Sequence, residues 1–167
     1  DRKLAAKWLT LATEQGHADS QYLLGTMYMS GVGVSEDDKM GAKLIALAAE
    51  QGLNKAQYSL GHSYVYGVKP FAQDIKVGMS YLKLAAEQGD TKAMNLLGSI
   101  YGSGTVVPLD NVMAHMYLNL AAGSGSKELS KAAIKNLDLV EKDMTSAQII
   151  KANDLSKLMA LKLNKSE

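Results

Sequence analysis

Three histidines are the side chains best suited to chemistry in this sequence, because an imidazole can bind a metal or act as a general base near neutral pH. They are His17, His62 and His115. No HExxH motif, pair of carboxylates or Ser-His-Asp signature accompanies them. The absence of cysteine also excludes a thiolate zinc site, a thiol nucleophile and a disulfide framework. The sequence therefore favours solvated or lightly packed histidines, and we predict no catalytic residue, no metal site and no cofactor.

Three glycine-rich segments raise the question of phosphate binding: GVGV at 31–34, and GSG at 102–104 and 123–125. A phosphate loop follows a strand, precedes a helix and usually ends in Gly-Lys-Ser/Thr. Here a helical pattern precedes each segment, and the segments follow the spacing of an internal repeat. We therefore interpret these glycines as helix terminators.

The repeat has a period of 36 or 37 residues. The hexapeptide LAAEQG occurs at 47–52 and 84–89, and the variants LATEQG and LAAGSG end at Gly16 and Gly125. The four terminal glycines are therefore 36, 37 and 36 residues apart. Other positions recur with the same spacing: Gly25, Gly61 and Gly98; Tyr28, Tyr64 and Tyr101; Gly31, Gly67 and Gly104; and Trp8, Leu44, Tyr81 and Tyr117.

Each repeat has the pattern of two helices. In 54–66, apolar residues recur at four-residue spacing, and Gly67 follows where a left-handed C-cap is expected. Asp74 then precedes a second periodic stretch, as a helix N-cap does. The aspartates at the matching positions are Asp1, Asp37 and Asp110. The sequence thus predicts an all-α repeat protein, in which every repeat contributes a first and a second helix.

We predict a half repeat at 1–16, full repeats at 17–52, 53–89 and 90–125, and C-terminal capping helices within 127–167. The consensus decays in this last segment. A helix is expected from about 127 to 142, and Thr145 with Gln148 forms a capping box that begins another. A divergent final segment fits a cap, which solenoids need to keep their last apolar face from water.

The repeat register predicts that residues 1–16 form a second helix, whose first-helix partner is missing from this sequence. The face that carries Leu4, Trp8 and Leu11 therefore lacks at least part of its usual neighbour. We expect apolar surface to be exposed there, or to be buried against another chain, which includes self-association through the incomplete N-terminal repeat.

The charge and hydropathy of the chain exclude some partner classes. Eighteen basic and seventeen acidic residues leave a net charge of +1. Nucleic-acid binding depends on clustered Lys and Arg, so the balance argues against a nucleic acid, including a helical-repeat reader of RNA. No apolar run approaches the roughly 20 residues that a membrane-spanning helix needs.

The segment LGTMYMSGVGVSEDDKMGAKLIALAAEQG (24–52) closely resembles the Sel1-like repeat, a relative of the tetratricopeptide repeat. The resemblance extends over about residues 1–125. The family's Lys-Ala pair appears here as Met40-Gly41, Val77-Gly78 and Met113-Ala114. The resemblance implies a right-handed α/α superhelix of antiparallel helix pairs that serves as an adaptor in protein complexes. Bacterial members often work at or beyond the inner membrane, so the resemblance favours a periplasmic or secreted protein, with the cytoplasm as the alternative.

Residues that occupy equivalent positions but differ between repeats are the candidates for specific binding. On the first helices they fall at i, i+4 and i+7, which is one stripe of each helix. In stacked helix pairs of this type, first helices line the concave side. We predict that a partner protein or peptide binds there, against Tyr22, Thr26, Met29, Tyr58, His62, Val65, Tyr66, Asn95 and Ser99. An unconstrained surface without a binding role is the alternative interpretation.

Binding without catalysis is the leading functional hypothesis. The alternative from the enzyme class is a weak hydrolase of cell-wall or β-lactam substrates, as proposed for cysteine-rich relatives. This chain lacks the cysteines of that branch, and no nucleophile–base pair is visible in its sequence.

Overall fold

A computed structural model describes residues 1–124 and 126–164 of the chain. These residues form nine α-helices and no β-strand. The helices are α1 Arg2–Glu14, α2 Ala18–Ser30, α3 Asp38–Glu50, α4 Asn54–Tyr66, α5 Ile75–Glu87, α6 Thr91–Ser103, α7 Asn111–Ala122, α8 Lys127–Glu141 and α9 Ser146–Leu163. The chain divides into two compact units, Asp1–Tyr81 (unit 1) and Leu82–Glu167 (unit 2).

The predicted N-caps are confirmed. The Asp37 carboxylate accepts a hydrogen bond from the Met40 backbone N–H at 2.9 Å, and Asp110 accepts one from Met113 at 3.0 Å. Asp1 and Asp74 cap α1 and α5 in the same way. These contacts satisfy backbone donors that have no partner inside the helix, which explains why aspartate recurs with the repeat.

The predicted glycine C-caps are also confirmed where the structure describes them. Gly31, Gly67 and Gly104 each adopt a left-handed conformation with φ of 64° at the end of a first helix. L-residues with a side chain resist this conformation. Gly125, the fourth terminal glycine of the repeat, and residues 165–167 lie outside the described residues.

Unit 1 is held together by small residues that let its helices approach closely. α2 packs against α1 and α3, and α3 packs against α4. A Cβ atom on Gly41 would lie 2.8 Å from the Gly25 carbonyl oxygen, so the backbones of α2 and α3 meet at these two glycines. The buried side chains of this unit form two clusters, one of Ala6, Leu24 and Leu44 and one of Ile45, Ala48, Ala49, Ala56 and Leu60.

In unit 2, α7 contacts α6, α8 and α9. Leu97, Ile100 and Leu118 are fully buried between these helices. The rings of Tyr101 and Tyr117 stack with centroids 6.1 Å apart and planes inclined by 4°. The capping box of Thr145 and Gln148 is present at the start of α9, as the sequence predicts.

His115 corrects one expectation from the sequence. It is 2% exposed, and its Nε2 atom lies 2.7 Å from Glu141 Oε1 on α8. His115 is therefore a packed core residue that joins α7 to α8, rather than a solvated or lightly packed one. The sequence could not show this, because Glu141 lies outside the repeats and 26 residues further along the chain.

Thr13 is a buried polar group that the fold does not satisfy. Its hydroxyl oxygen has no hydrogen-bond partner within the described ranges, whereas Ala49 and Ala86 occupy the equivalent repeat positions. We expect Thr13→Ala to stabilise the chain by about 1 kcal/mol, because a buried hydroxyl without a partner costs roughly 1–3 kcal/mol. Chemical denaturation measures the change. Thr10→Ala is the control, since the Thr10 hydroxyl donates to the Ala6 carbonyl at 2.9 Å; equal gains in both variants would contradict the prediction.

Tyr117 makes the stability sensitive to alkaline pH. Burial, followed by the nearby Tyr101 and Glu87, raises the pKa of Tyr117 from 10.0 to about 12. The unfolded chain therefore ionises first, so this contribution to stability is complete below about pH 10 and is lost as pH rises towards about 12. We expect Tyr117→Phe to lose less stability than the wild type across that interval in denaturant titrations. An identical loss in both proteins would show that Tyr117 is not responsible.

Candidate functional site

The candidate site centres on a row of aromatic side chains along α4. Tyr58, His62 and Tyr66 follow one another at four-residue spacing, which places them on one face of the helix. The Tyr58 and His62 ring centroids are 6.3 Å apart, and those of His62 and Tyr66 are 4.9 Å apart. Tyr66 is 46% exposed, and the other two side chains are half-buried. The three side chains are named the α4 aromatic row below.

The neighbouring helix α2 places one further aromatic side chain, Tyr22, beside this row. The Tyr22 hydroxyl lies 3.3 Å from the Ser59 hydroxyl on α4. The Lys55 ammonium lies 5.6 Å from the centroid of the Tyr22 ring and 2.7 Å from the Asp19 carboxylate. These contacts hold Tyr22 against α4. The face that carries Tyr22 and the α4 aromatic row is therefore one connected surface within unit 1.

Sequence reasoning did not single out Asp19, Lys55 or Ser59. A signal for the ion pair was present, because Asp19 and Lys55 are 36 residues apart and so occupy equivalent positions in successive repeats. Opposite charges at equivalent positions predict an ion pair only if the two first helices lie side by side. The sequence alone does not show that they do. Thr26 lies on the same side of α2, half-exposed, with its hydroxyl donating to the Leu23 carbonyl at 2.7 Å.

Val65 is a buried packing residue, which corrects its predicted place on the binding surface, and Met29 packs at the equivalent position while it stays half-buried. Val65 is fully buried, and a Cβ atom on Gly78 would lie 2.7 Å from its Cγ2 atom. Met29 is half-buried, and its Cγ atom lies at the same distance, 2.7 Å, from a Cβ placed on Gly41. Each large side chain fills the space that a glycine on the second helix leaves open.

The third repeat shows the same complementarity with the sizes reversed. Gly102 stands at the position of Met29 and Val65, and faces Ala114 instead of a glycine. A Cβ on Gly102 would lie 3.4 Å from the Ala114 Cβ. The variation at this position therefore follows the packing partner within each repeat, which explains it without a ligand.

Asn95 and Ser99, the predicted site residues of unit 2, contact α8. The Asn95 side-chain amide donates to the Leu129 carbonyl at 3.1 Å. The Ser99 hydroxyl accepts a hydrogen bond from the Asn136 amide at 3.4 Å. Both side chains therefore help to hold the C-terminal helix α8 on α6, and Asn95 is half-buried by this contact.

A cleft of about 580 Å³ in unit 2 is a second concave feature, and two of its polar side chains are already paired. Asn119 and Ser156 line it. The Asn119 amide donates to the Asn153 side-chain oxygen at 3.0 Å, and the Ser156 hydroxyl donates to the Met116 carbonyl at 3.2 Å. These groups stabilise the packing of α9 on α7, so the cleft does not present them to a ligand.

Among the residues with described positions, no group of three His, Asp or Glu side chains is arranged to hold a metal ion. Within the same ranges, no helix combines the length and the apolar character that crossing a bilayer requires.

The solved structures that are similar to this chain include two bacterial repeat proteins. One is a Sel1 repeat protein from Oxalobacter formigenes, which is 29% identical with a TM-score of 0.68, over 76% of this chain and 95% of that one. The other is c5321, a protective antigen of uropathogenic Escherichia coli with the same repeat fold, at 25% identity and a TM-score of 0.60. That likeness covers 95% of this chain and 41% of c5321. No curated protein sequence matches the chain significantly.

The repeats themselves decide the family. The model of the Sel1 repeat matches residues 1–17, 18–53, 54–90 and 91–126, which is most of the chain. In each full repeat the first helix ends at a left-handed glycine, an aspartate caps the second helix, and small residues lie where the two helices meet. Proteins with this repeat generally act as non-enzymatic scaffolds for protein interaction. This chain is an all-α member of the Sel1 repeat family.

Proposed function

We propose that this chain is a non-catalytic scaffold that binds an extended segment of a partner protein along the α4 aromatic row. The observation that carries the proposal is the row itself, because three aromatic rings lie consecutively on one face and remain partly accessible. The fold does not need His62 or Tyr66 as core residues, since neither is buried. Both side chains can therefore contact a bound partner.

The spacing of the row suits an extended peptide. Residues four apart on a helix are separated by about 6 Å along its axis. Alternate side chains of an extended strand are separated by about 6.6 Å, because each residue advances about 3.3 Å. Successive side chains on one side of such a peptide can thus lie between successive rings of the α4 aromatic row.

Aromatic rings also supply the energy that such binding needs. Tyrosine buries a large area with little loss of conformational freedom, and its hydroxyl pairs with a backbone group of the ligand. A few aromatic anchors near the centre of an interface generally contribute most of its binding energy. Tyr22, held beside α4 by Ser59 and Lys55, extends the contact surface to α2.

A library of short random peptides displayed on phage tests the proposal. We expect selection on the folded protein to enrich peptides with large apolar side chains at alternate positions. Synthetic copies of the enriched peptides should bind the wild-type protein in calorimetry and compete with one another for one site. Enrichment no greater than on heat-unfolded protein, or enriched peptides that bind independently of one another, would contradict a single peptide site.

A further inference from the structure

The loop that follows the α4 aromatic row differs from the equivalent loops of the other full repeats. Each loop joins the left-handed glycine of a first helix to the aspartate that caps the second helix. It spans six residues at 31–36 and at 104–109, but seven at 67–73. Loop 67–73 is also the only one of the three that carries a cation, Lys69. Loop 31–36 carries the anion Glu36, and loop 104–109 has no charged residue.

Loop 67–73 supplies hydrogen-bond donors to the last carbonyls of α4. The Val68 backbone N–H donates to the Ser63 carbonyl at 2.9 Å. The Gln73 side-chain amide donates to the Val65 carbonyl, also at 2.9 Å. Unpaired carbonyls at the C-terminus of a helix carry partial negative charge, which disfavours a nearby anion. Because these two carbonyls are paired, this end of α4 opposes a carboxylate less than a bare helix end would.

The loop is held in place by its second half and exposes its first half. The Phe71 ring packs against the Tyr64 ring with centroids 5.0 Å apart, and the Phe71 backbone N–H donates to the Val68 carbonyl at 3.0 Å. Val68 is nevertheless 43% exposed, and Lys69 is exposed as well. Tyr66, the last ring of the α4 aromatic row, directly precedes the loop. The loop therefore continues the exposed surface of the row.

The two ends of this surface differ in charge. At the start of α4, the Lys55 ammonium lies 2.7 Å from the Asp19 carboxylate, so the two charges offset each other. Lys69, at the other end, forms no ion pair with the residues whose positions the structure describes. The acidic residue nearest to it along the chain is Asp74, whose carboxylate accepts a hydrogen bond from the Val77 backbone N–H at 2.9 Å. A positive charge therefore stays available at the loop, and an acidic ligand complements it.

We infer that loop 67–73 selects an acidic partner segment, whose carboxylate pairs with Lys69 just beyond the apolar side chain that lies against Tyr66. This inference rests on the proposed binding along the α4 aromatic row. Three peptide units join Tyr66 to Lys69, which keeps their Cα atoms within about 11 Å. An extended peptide covers that distance in roughly three residues. The acidic residue therefore lies within about three positions of the last apolar anchor.

Synthetic peptides test the inference by changing one charge at a time. The starting probe is the library-selected peptide that binds the wild-type protein. It is extended by Ser-Glu-Ser, Ser-Gln-Ser or Ser-Lys-Ser, which gives acidic, neutral and basic forms of equal length. Each extension is placed at the N-terminus and, separately, at the C-terminus, because a peptide can lie in either direction along the row. Calorimetry at low salt measures the affinity of every form.

At one terminus, we expect the acidic form to bind the wild type roughly two- to fivefold more tightly than the neutral form, which is the range of an exposed ion pair. The basic form should bind less tightly than the neutral form. Charge at the other terminus, beside the offset Lys55–Asp19 pair, should have a much smaller effect. The preference should diminish at high salt, because salt screens exposed charges.

Lys69→Glu should reverse the order of the acidic and basic forms. Lys76→Glu is the matched control, because Lys76 is also an exposed cation of this region but lies on α5, outside the loop. The control should keep the wild-type order. Both variants must retain the melting temperature of the wild type, which an exchange at an exposed position allows.

Equal affinities of the three forms at both termini would overturn the inference and leave the proposed peptide site intact, since the unextended peptide reports on the row alone. A preference for the acidic form that survives Lys69→Glu, or that Lys76→Glu reverses equally, would also overturn it, because another cation would then be responsible. If the library yields no peptide specific for the folded protein, the inference and the proposed site both fail.

Discussion

Replacing Gly98 with valine will destabilise the chain by at least about 3 kcal/mol, at the upper end of the cost of overpacking a core. A Cβ atom at this position would lie 2.6 Å from Leu118 Cγ and 3.2 Å from the Ala114 carbonyl oxygen. Leu118 is fully buried, so the added side chain would disturb core packing. The melting temperature should fall by roughly 6–12 °C, since 1 kcal/mol corresponds to about 2–4 °C at this chain length.

Gly123→Val is the matched control for this prediction. Gly123 ends α7 with an ordinary φ of −77°, and a Cβ there would approach nothing closer than 3.7 Å. We expect this variant to lose less than about 1 kcal/mol, which is the usual range of helix propensity. If Gly98→Val melts within about 2 °C of the wild type, or no lower than Gly123→Val, the close packing of α6 on α7 is not a determinant of stability.

A double mutant tests whether the Leu118 side chain causes the loss of stability. Leu118→Ala removes the side chain nearest to the added Cβ, although it creates a cavity of its own. In the Gly98→Ala variant, Leu118→Ala also removes the Leu118 atoms that the added Cβ would meet. The loss in free energy of unfolding for Gly98→Ala/Leu118→Ala should therefore be smaller than the sum of the two single losses. An additive result would place the strain elsewhere.

The double substitution Tyr58→Ala/His62→Ala will weaken binding of the library-selected peptide by at least about 30-fold. One aromatic hot spot contributes about 2 kcal/mol or more, and 1.4 kcal/mol corresponds to a tenfold change in affinity. Calorimetric titration of the wild type and the variant with the same peptide measures the ratio. The variant must first keep the far-ultraviolet spectrum and melting temperature of a folded chain.

Met40→Ala/Leu47→Ala is the matched control for binding. Both side chains are exposed apolar residues on α3, a second helix, and neither belongs to the α4 aromatic row. We expect the control to bind the peptide as the wild type does. Equal losses in the two double variants would assign the effect to general apolar contact, and undiminished binding by Tyr58→Ala/His62→Ala would exclude the row.

The repeat made the helices predictable from the sequence. Each helix boundary occurs in several repeats, so an ambiguous position in one repeat can be assigned from the equivalent positions in the others. The predicted helix over 54–66 is observed as Asn54–Tyr66, and the aspartate and glycine caps stand at the predicted places. The stripe of variable residues was predictable in angle, because four-residue spacing fixes the face of a helix.

The burial of each residue on that stripe was not predictable. Helical periodicity does not show where a neighbouring helix crosses, and at Val65 the crossing helix α5 covers the stripe through Gly78. The C-terminal helices were uncertain for another reason. The repeat spacing makes Ile134 of α8 equivalent to Gly98, the buried glycine of α6. In the structure Ile134 is 51% exposed, and the neighbouring Ala133 is the buried small residue. A shift of one residue turns the helix by about 100° and cannot be found without its neighbours.

Site-specific photo-crosslinking can show directly whether a partner segment binds along the α4 aromatic row. p-Benzoylphenylalanine replaces Tyr66, which is 46% exposed at one end of the row, or Leu47, which is 37% exposed on α3. With the library-selected peptide and ultraviolet light, we predict a covalent adduct at position 66 and none at position 47, and an excess of unlabelled peptide should suppress it. An adduct that forms at position 47 and not at position 66 would contradict binding along the α4 aromatic row and place the binding surface on the second helices.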